Sequence, residues 1–451
     1  MRKLLTLLIL CFSLLLLSAC SAKSPTSLVP DETDLAISEE TPDTTVPISL
    51  EPPVDNCIEC HTDKQMLIDT AVTGEEFSHF ALGGDIDPIE PWKKVLISDA
   101  FFTNVHAQTT CSACHAGNSS TLEKEEAHEG LIEAPDADPQ RTCGNCHNEI
   151  VSTSADSLHV SQSGFFQAMY SRSLPENHKA LNEMFDNQCQ SCHTTCGDCH
   201  IAQPDSVGGG LLNGHEYVKT PPMSLTCAAC HSAVVGNEFM GKNENSPEDV
   251  HFREGRMNCV DCHDGASMHD SGGANHRYEG EQGPSCESCH DQIGKTSDVI
   301  VEHQIHQDTL SCQVCHSVTY TSCDSCHVEI NETTGNPVFN IESTYSSFFI
   351  GRNSRQNEDR PYEYVPVRHI PVDPESFAYY GENLLPNFNL LPTWAYTTPH
   401  NIQRYTPQTL TCNSCHGNDE IFLTADKVKP EELEANLDVI VENVPGLIPE
   451  K

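Results

Sequence analysis

The sequence predicts a mostly α chain with extensive coil, in which the helices are short and sheet is scarce. Three observations carry that expectation. Apolar residues make up 37 % of the 451, and 24 of them are cysteines; without these the fraction is about 32 %, low for a chain that must build an ordinary side-chain core. Twenty-two of the 24 cysteines fall in eleven copies of Cys-x-x-Cys-His strung between residues 57 and 416. Finally, 24 Cys, 24 His and 28 Pro together are not what disorder looks like, so the polarity needs another explanation. Something other than side-chain packing must hold the chain. Length alone suggests two or three domains. The balance of 24 Lys+Arg against 66 Asp+Glu, a formal charge of -42, would repel phosphate backbones and excludes nucleic acid as a partner.

Residues 1–19 read as an export signal. Met1-Arg2-Lys3 is positive, and Leu4 to Leu17 is an almost wholly apolar run, too short to span a bilayer comfortably. It ends in Leu17-Ser18-Ala19-Cys20, which resembles the bacterial lipoprotein box. The resemblance implies cleavage before Cys20 and lipid on that residue, with several acyl chains giving stable anchoring to the membrane. Ser21 after the cysteine, in place of Asp, favours the outer membrane or cell surface over the inner membrane. Residues 20–54 are rich in Ser, Thr, Pro, Asp and Glu and contain no aromatic residue, so they read as a lipidated flexible tether with a reach on the order of 35 Å. No later stretch is apolar enough to cross a membrane.

The eleven motifs are Cys57-x-x-Cys60-His61, Cys111-x-x-Cys114-His115, Cys143-x-x-Cys146-His147, Cys189-x-x-Cys192-His193, Cys196-x-x-Cys199-His200, Cys227-x-x-Cys230-His231, Cys259-x-x-Cys262-His263, Cys286-x-x-Cys289-His290, Cys312-x-x-Cys315-His316, Cys323-x-x-Cys326-His327 and Cys412-x-x-Cys415-His416. The spacing has a chemical reason. Two thiols three residues apart add to the two vinyl groups on one edge of a haem, and the adjoining histidine reaches the iron. Zinc ribbons also pair cysteines this way, but need no histidine directly after the second one. Disulfides suit an exported protein yet leave the histidine unexplained.

On these motifs the chain resembles bacterial multihaem c-type cytochromes, over roughly residues 55 to 417. The resemblance implies eleven covalently attached haems c, held by the paired cysteines, with each motif histidine as proximal ligand. From Cys20 on, 432 residues shared among eleven motifs is about 39 each, so porphyrin faces would replace much of the usual core. A backbone pinned to rigid plates needs little regular structure, hence short helices starting at the motifs, long loops and very little sheet.

Spacing suggests a tandem arrangement. Motif starts are separated by 54, 32, 46 and 7 residues, then by 32, 27, 26 and 11, so each run of five ends in a close pair. This gives a first pentahaem module at 55–205 and a second at 206–330, with the Gly208–Gly210 run as a linker between them. Residues 331–451 form a C-terminal lobe with the eleventh haem and an acidic tail. Within it, Pro361-Tyr-Glu-Tyr-Val-Pro and Pro386-Asn-Phe read as packing residues before docking ones, and Pro430 to Lys451 as a solvated tail without chemistry.

Histidine bookkeeping separates wire from enzyme. Eleven of the 24 histidines belong to motifs, leaving 13 for eleven distal positions. His106, His215, His251, His306 and His400 lie shortly before a motif, and His303 shares a helical face with His306, so the two would serve neighbouring haems. His79, His128, His159, His269 and His369 complete the distal set. His178 and His276 are left out because their surroundings, Pro-Glu-Asn-His-Lys and Gly-Gly-Ala-Asn-His-Arg, are very polar. Full bis-histidine ligation suits electron transfer, because it leaves no iron position for substrate. The expected function is an electron conduit at the outer face of a bacterial membrane, working between redox proteins or to an extracellular acceptor. Haem propionates add to the acidity, so partners should carry basic docking patches. Two rivals remain: a multihaem oxidoreductase of a small nitrogen or sulfur compound with one open haem, though no Cys-x-x-Cys-Lys occurs here, and a subunit of an extracellular cytochrome filament.

Overall fold

A computed structural model describes residues 55–71, 89–188, 194–204, 207–231, 235–270, 283–295, 298–320, 325–330, 337–342, 348–358, 360–370 and 372–449, with the backbone alone over most of the two segments 325–330 and 337–342. The export signal, Cys20, the tether, His79, the Cys189–His193 motif, His276 and Cys323 lie outside the described residues. Contacts gather Pro52–Lys451 into one unit. None of the described helices is long and apolar enough to cross a membrane.

The chain is mostly short helix and coil. Motifs set the rhythm: helices α1 (Asn56–Thr62), α2 (Cys111–His115), α3 (Cys196–His200), α4 (Cys227–Cys230), α5 (Cys259–Cys262) and α6 (Cys312–His316) open at or one residue before a motif's first cysteine. Single 3-10 turns do the same at Cys143–Asn145, Cys286–Ser288 and Cys412–Ser414. Segments of one or two turns do not persist in isolation. Caps hold them here. Asp55 accepts the Cys57 N–H at α1, and capping boxes close α3 (Thr195 with Asp198) and α5 (Asn258 with Asp261).

Among the described residues, sheet is limited to a hairpin, Ser325–Ile330 with Pro337–Glu342, and a three-stranded antiparallel sheet of β1 (Phe349–Arg352), β2 (Tyr364–His369) and β3 (Trp394–Tyr396), with β2 in the middle. The Pro361-Tyr-Glu-Tyr-Val-Pro run enters β2, where Val365 and Val367 are fully buried. They pack with Trp394, Tyr396, Leu423, Val428, Val439 and Ile440. Hence the acidic C-terminal stretch is not a solvated tail. Its Val439–Val441 run is apolar and buried, Val439 O accepts from Arg352 N, and Val441 N donates to Leu423 O. A second apolar cluster joins Met169, Leu181 and Met184 to Val372, Phe377, Leu384 and Leu385, with Phe388 of the Pro386-Asn-Phe run against it. Side-chain core thus concentrates in the C-terminal lobe and the segment 165–185. Between residues 55 and 160 the described buried hydrophobics are Leu67, Phe101 and Val151.

Gly208–Gly210 is a tight loop and not a free linker. All three glycines have positive φ, and a Cβ on Gly210 would stand 2.9 Å from Ile89 Cδ1 and 3.1 Å from Lys94 Cα. The chain on either side of residue 206 is interleaved, as where Ser98 N donates to Gly214 O.

Candidate haem centres

Histidine rings meet in twos. His61 faces His128 with ring centroids 6.2 Å apart, His147 faces His106 at 6.2 Å, and His115 faces His215 at 6.1 Å. His231 faces His159 at 6.1 Å, His200 faces His269 at 6.0 Å, and His290 faces His251 at 6.0 Å. His263 faces His400 at 6.5 Å, His316 faces His303 at 6.1 Å, and His416 faces His306 at 6.3 Å. Every pair joins one motif histidine to one non-motif histidine, and all nine motif histidines with described side chains are used once. The separation has a physical meaning. An imidazole nitrogen binds a metal at about 2.0 Å and lies about 1.1 Å from its ring centre, so two imidazoles on opposite sides of one iron have centroids about 6.2 Å apart.

Nothing comparable was found among known proteins: no family model, no curated protein and no solved structure matches the chain.

The tautomers agree with the spacing. Nδ1–H donates to a backbone carbonyl in His61 (Val95, 3.0 Å), His115 (Ile132, 3.0 Å), His200 (Val218, 2.7 Å), His316 (Gln403, 3.0 Å) and His416 (Gly446, 3.1 Å). In His106, His251 and His303 it donates to Asn104 (2.6 Å), Asp249 (2.8 Å) and Asp298 (2.8 Å). A neutral imidazole with its proton on Nδ1 carries its lone pair on Nε2, and an anchored Nδ1–H is the usual second partner of a metal-binding histidine. Burial lowers the pKa of His106, His128, His159, His215, His263, His269, His306 and His316, which keeps these rings neutral.

Sequence reasoning missed these anchors, although two have a local signature. Asn104 and Asp249 stand two residues before His106 and His251, and each side-chain oxygen takes both the backbone N–H and the Nδ1–H of its histidine. An Asx-x-His turn therefore marks two of the paired histidines.

The described motifs neighbour one another in a fixed order. Asp55 bridges the first two, its Oδ1 accepting from Cys57 N and its Oδ2 from Cys111 N, both at 3.1 Å. Asp136 plays a similar part near Cys143 and Cys196, accepting from Gly197 N at 2.7 Å and from Thr195 Oγ1. The thiols of Cys143 and Cys196 share a hydrogen bond that pulls the Cys143 pKa down; Cys227 with Cys259, and Cys286 with Cys312, repeat the arrangement. Between these couples, second cysteines approach the next motif. Burial first, and then the thiols of Cys143 and Cys146, raise the Cys114 pKa. Cys199 is related in the same way to Cys227, Cys262 to Cys289 and Cys286, and Cys315 to Cys415. Links through first cysteines alternate with electrostatic influence through second ones. The resulting order is 57, 111, 143, 196, 227, 259, 286, 312, 412.

Apolar side chains next to these centres stand open. Val105 beside His106 is 68 % exposed, Ile305 beside His306 is 63 % exposed, and Leu410 before Cys412 is 75 % exposed. A macrocycle held between the histidines offers the apolar surface that would cover such residues. On spacing, tautomer and apolar lining, the side chains present fit haem c.

Two histidines behave differently. His369, chosen from the sequence as distal, places its Nε2 2.9 Å from Glu432 Oε2; facing a carboxylate, that nitrogen donates a proton and does not present a lone pair. His178, passed over, has a buried Nε2 without a hydrogen-bond partner, and its ring stacks on Tyr170 at 3.9 Å.

Proposed function

We propose that the protein is a lipid-anchored, exported multihaem c-type cytochrome that relays electrons along eleven mainly bis-histidine haems, between redox partners or to an extracellular acceptor. The observation that carries this reading is the set of nine motif histidines, each facing a different non-motif histidine at 6.0–6.5 Å. Haem c, once attached, supplies a one-electron iron couple. The chain's own residues do the rest. Paired cysteines would hold the group by one edge, motif and partner histidines would ligate it, and the anchors on Nδ1 hold the rings in place. With both faces closed there is no position for a substrate, which favours a conduit over an oxidoreductase. The order in which the nine described motifs neighbour one another, from Cys57 to Cys412, supports the same conclusion, since a relay needs each centre near the next.

Pyridine haemochrome analysis of the mature protein should give eleven haems c per chain, and a value of nine or fewer would sink the proposal. Low-temperature electron paramagnetic resonance of the oxidised protein should then show mainly low-spin ferric signals. A substantial high-spin signal accompanied by nitrite or hydroxylamine turnover would instead make the protein an enzyme.

A further inference from the structure

We infer that Asp249 and Asp298 are positioning residues that hold two centres, those carried on Cys286 and Cys312, at low potential by acting through His251 and His303. This rests on the cytochrome reading above and deepens it, because it marks a step within the relay. Of the eight Nδ1 anchors described above, five are backbone carbonyls and one is the Asn104 side-chain amide. The other two are carboxylates: Asp249 Oδ1 accepts from His251 and Asp298 Oδ2 from His303, each at 2.8 Å.

A carboxylate acts on a ligand as a carbonyl does not. It draws the Nδ1 proton toward itself, which makes the ring a stronger donor at Nε2, and it adds a negative charge behind the ring. Both effects favour the ferric state, which is one unit more positive, so the potential falls. The two side chains are placed to exert this in full. They are only 3 % and 7 % exposed, so water and salt screen them little. Backbone N–H groups fix their oxygens, from His251 and Ile402 on Asp249 and from Gly294 and Ile300 on Asp298. Accepting from N–H donors throughout is the behaviour of an ionised carboxylate.

The chain supplies its own comparison. Asn104 makes the same turn onto His106, its oxygen taking both the backbone N–H and the Nδ1–H. Holding the ring therefore needs no carboxylate, and what Asp249 adds in that turn is charge. Position gives the charge a consequence. His251 faces His290 of the Cys286 motif, and His303 faces His316 of the Cys312 motif. These two motifs are consecutive in the order given above, through the hydrogen bond between Cys286 and Cys312. A low couple there separates the centres from Cys57 to Cys259 from the one at Cys412, so an electron passing between them climbs a step.

The test is potentiometric reduction of haem-loaded protein, followed by its visible spectrum. Asp249→Asn keeps an oxygen for the Nδ1–H and removes the charge. It should move one haem equivalent to higher potential, its reduction favoured about tenfold, or about 59 mV for one electron. Asp298→Asn should move a second equivalent by a similar amount, and Asn104→Asp should move one equivalent the opposite way. Haem content and carbon monoxide binding should match the unmutated protein in all three, because both axial positions stay filled. An Asp249→Asn curve that superposes on the unmutated one at full haem content, or that shifts downward, overturns the inference. So does a gain in carbon monoxide binding without the shift, which would make the carboxylate only a prop for the ring. Should the aspartate variants not assemble, Asn104→Asp decides, and an unshifted curve there refutes the inference. A haem count near eleven in the unmutated protein keeps failure of this assignment distinct from failure of the cytochrome reading.

Discussion

Replacing Arg368 by Met should strip one charge from the interior and leave its opposite behind. Arg368 on β2 places Nη2 2.6 Å from Glu238 Oε1, with side chains only 9 % and 1 % exposed. Tyr320 O–H donates to the same carboxylate oxygen, and Oε2 accepts the His400 backbone N–H at 2.7 Å. Although burial works against the guanidinium's charge, Glu238 and Tyr320 raise its pKa above the ordinary arginine value. Met keeps most of the stem's bulk and removes the charge, so the carboxylate is left with two neutral donors. Breaking a buried pair from one side costs about 3–5 kcal/mol, or two to three and a half powers of ten in the folding equilibrium. Guanidinium denaturation of the haem-loaded protein, followed by visible circular dichroism, reads this directly. Adding Glu238→Gln removes the stranded charge and should restore part of the loss. A single variant within about 1 kcal/mol of the unmutated protein, or a double variant less stable than Arg368→Met, refutes the reasoning.

Asp55 caps two motif helices at once, so Asp55→Ala should cost about 2 kcal/mol, twice the usual loss for one cap, whereas Asp55→Asn, which keeps one acceptor oxygen, should lose less. Denaturant midpoints of the three proteins check the order. The pH dependence follows from His159, lowered by burial, and His263, lowered by burial and then by His400. Unfolded histidine takes up a proton near pH 6.5 while these rings resist it, so stability is full above that value and falls as pH drops below it, by at most about 1.4 kcal/mol per pH unit per histidine. Denaturation midpoints that stay level between pH 7 and 5 would contradict this. Finally, the formal charge of -42 should speed encounter with a basic partner, and about 0.5 M salt should slow that exchange several-fold while leaving an anionic acceptor unaffected or faster. Stopped-flow oxidation by one acceptor of each sign, across a salt series, is the measurement.

What the sequence made legible was local. Cys-x-x-Cys-His is complete within five residues, so the eleven motifs and the turns that open at nine of them follow from reading along the chain. Each of the nine non-motif histidines now facing a motif is among those the sequence selects, because their number nearly equals the demand. Their partners were not legible. His263 meets His400 and His306 meets His416 across long stretches of unrelated chain, and no spacing rule reaches that far. Pro-Glu-Asn before His178 looks solvated in the sequence, yet those residues turn and tie the helix start. For His369, which the sequence also selects, composition does not reveal that Glu432 lies opposite its Nε2. The C-terminal stretch misled through its charge: Glu431, Glu432 and Glu434 hide the short Val439–Val441 run that packs under the sheet.

The long reach of these pairings bears on how the protein is made. A chain exported from its N-terminus, as proposed here, would deliver His61 well before His128, and His263 long before His400. On the proposed cytochrome reading, a haem held by the motif of His263 would therefore wait, with its second histidine still missing, until nearly the whole polypeptide has crossed the membrane. Each completed pairing then closes a loop across the chain, much as a disulfide does, at an entropic cost that grows only slowly with loop length. The last of these closures, His306 with His416, draws the C-terminal lobe onto the line of centres. On that reading maturation would not be vectorial: cofactors would go on in the order of synthesis, but the fold would be sealed from the end.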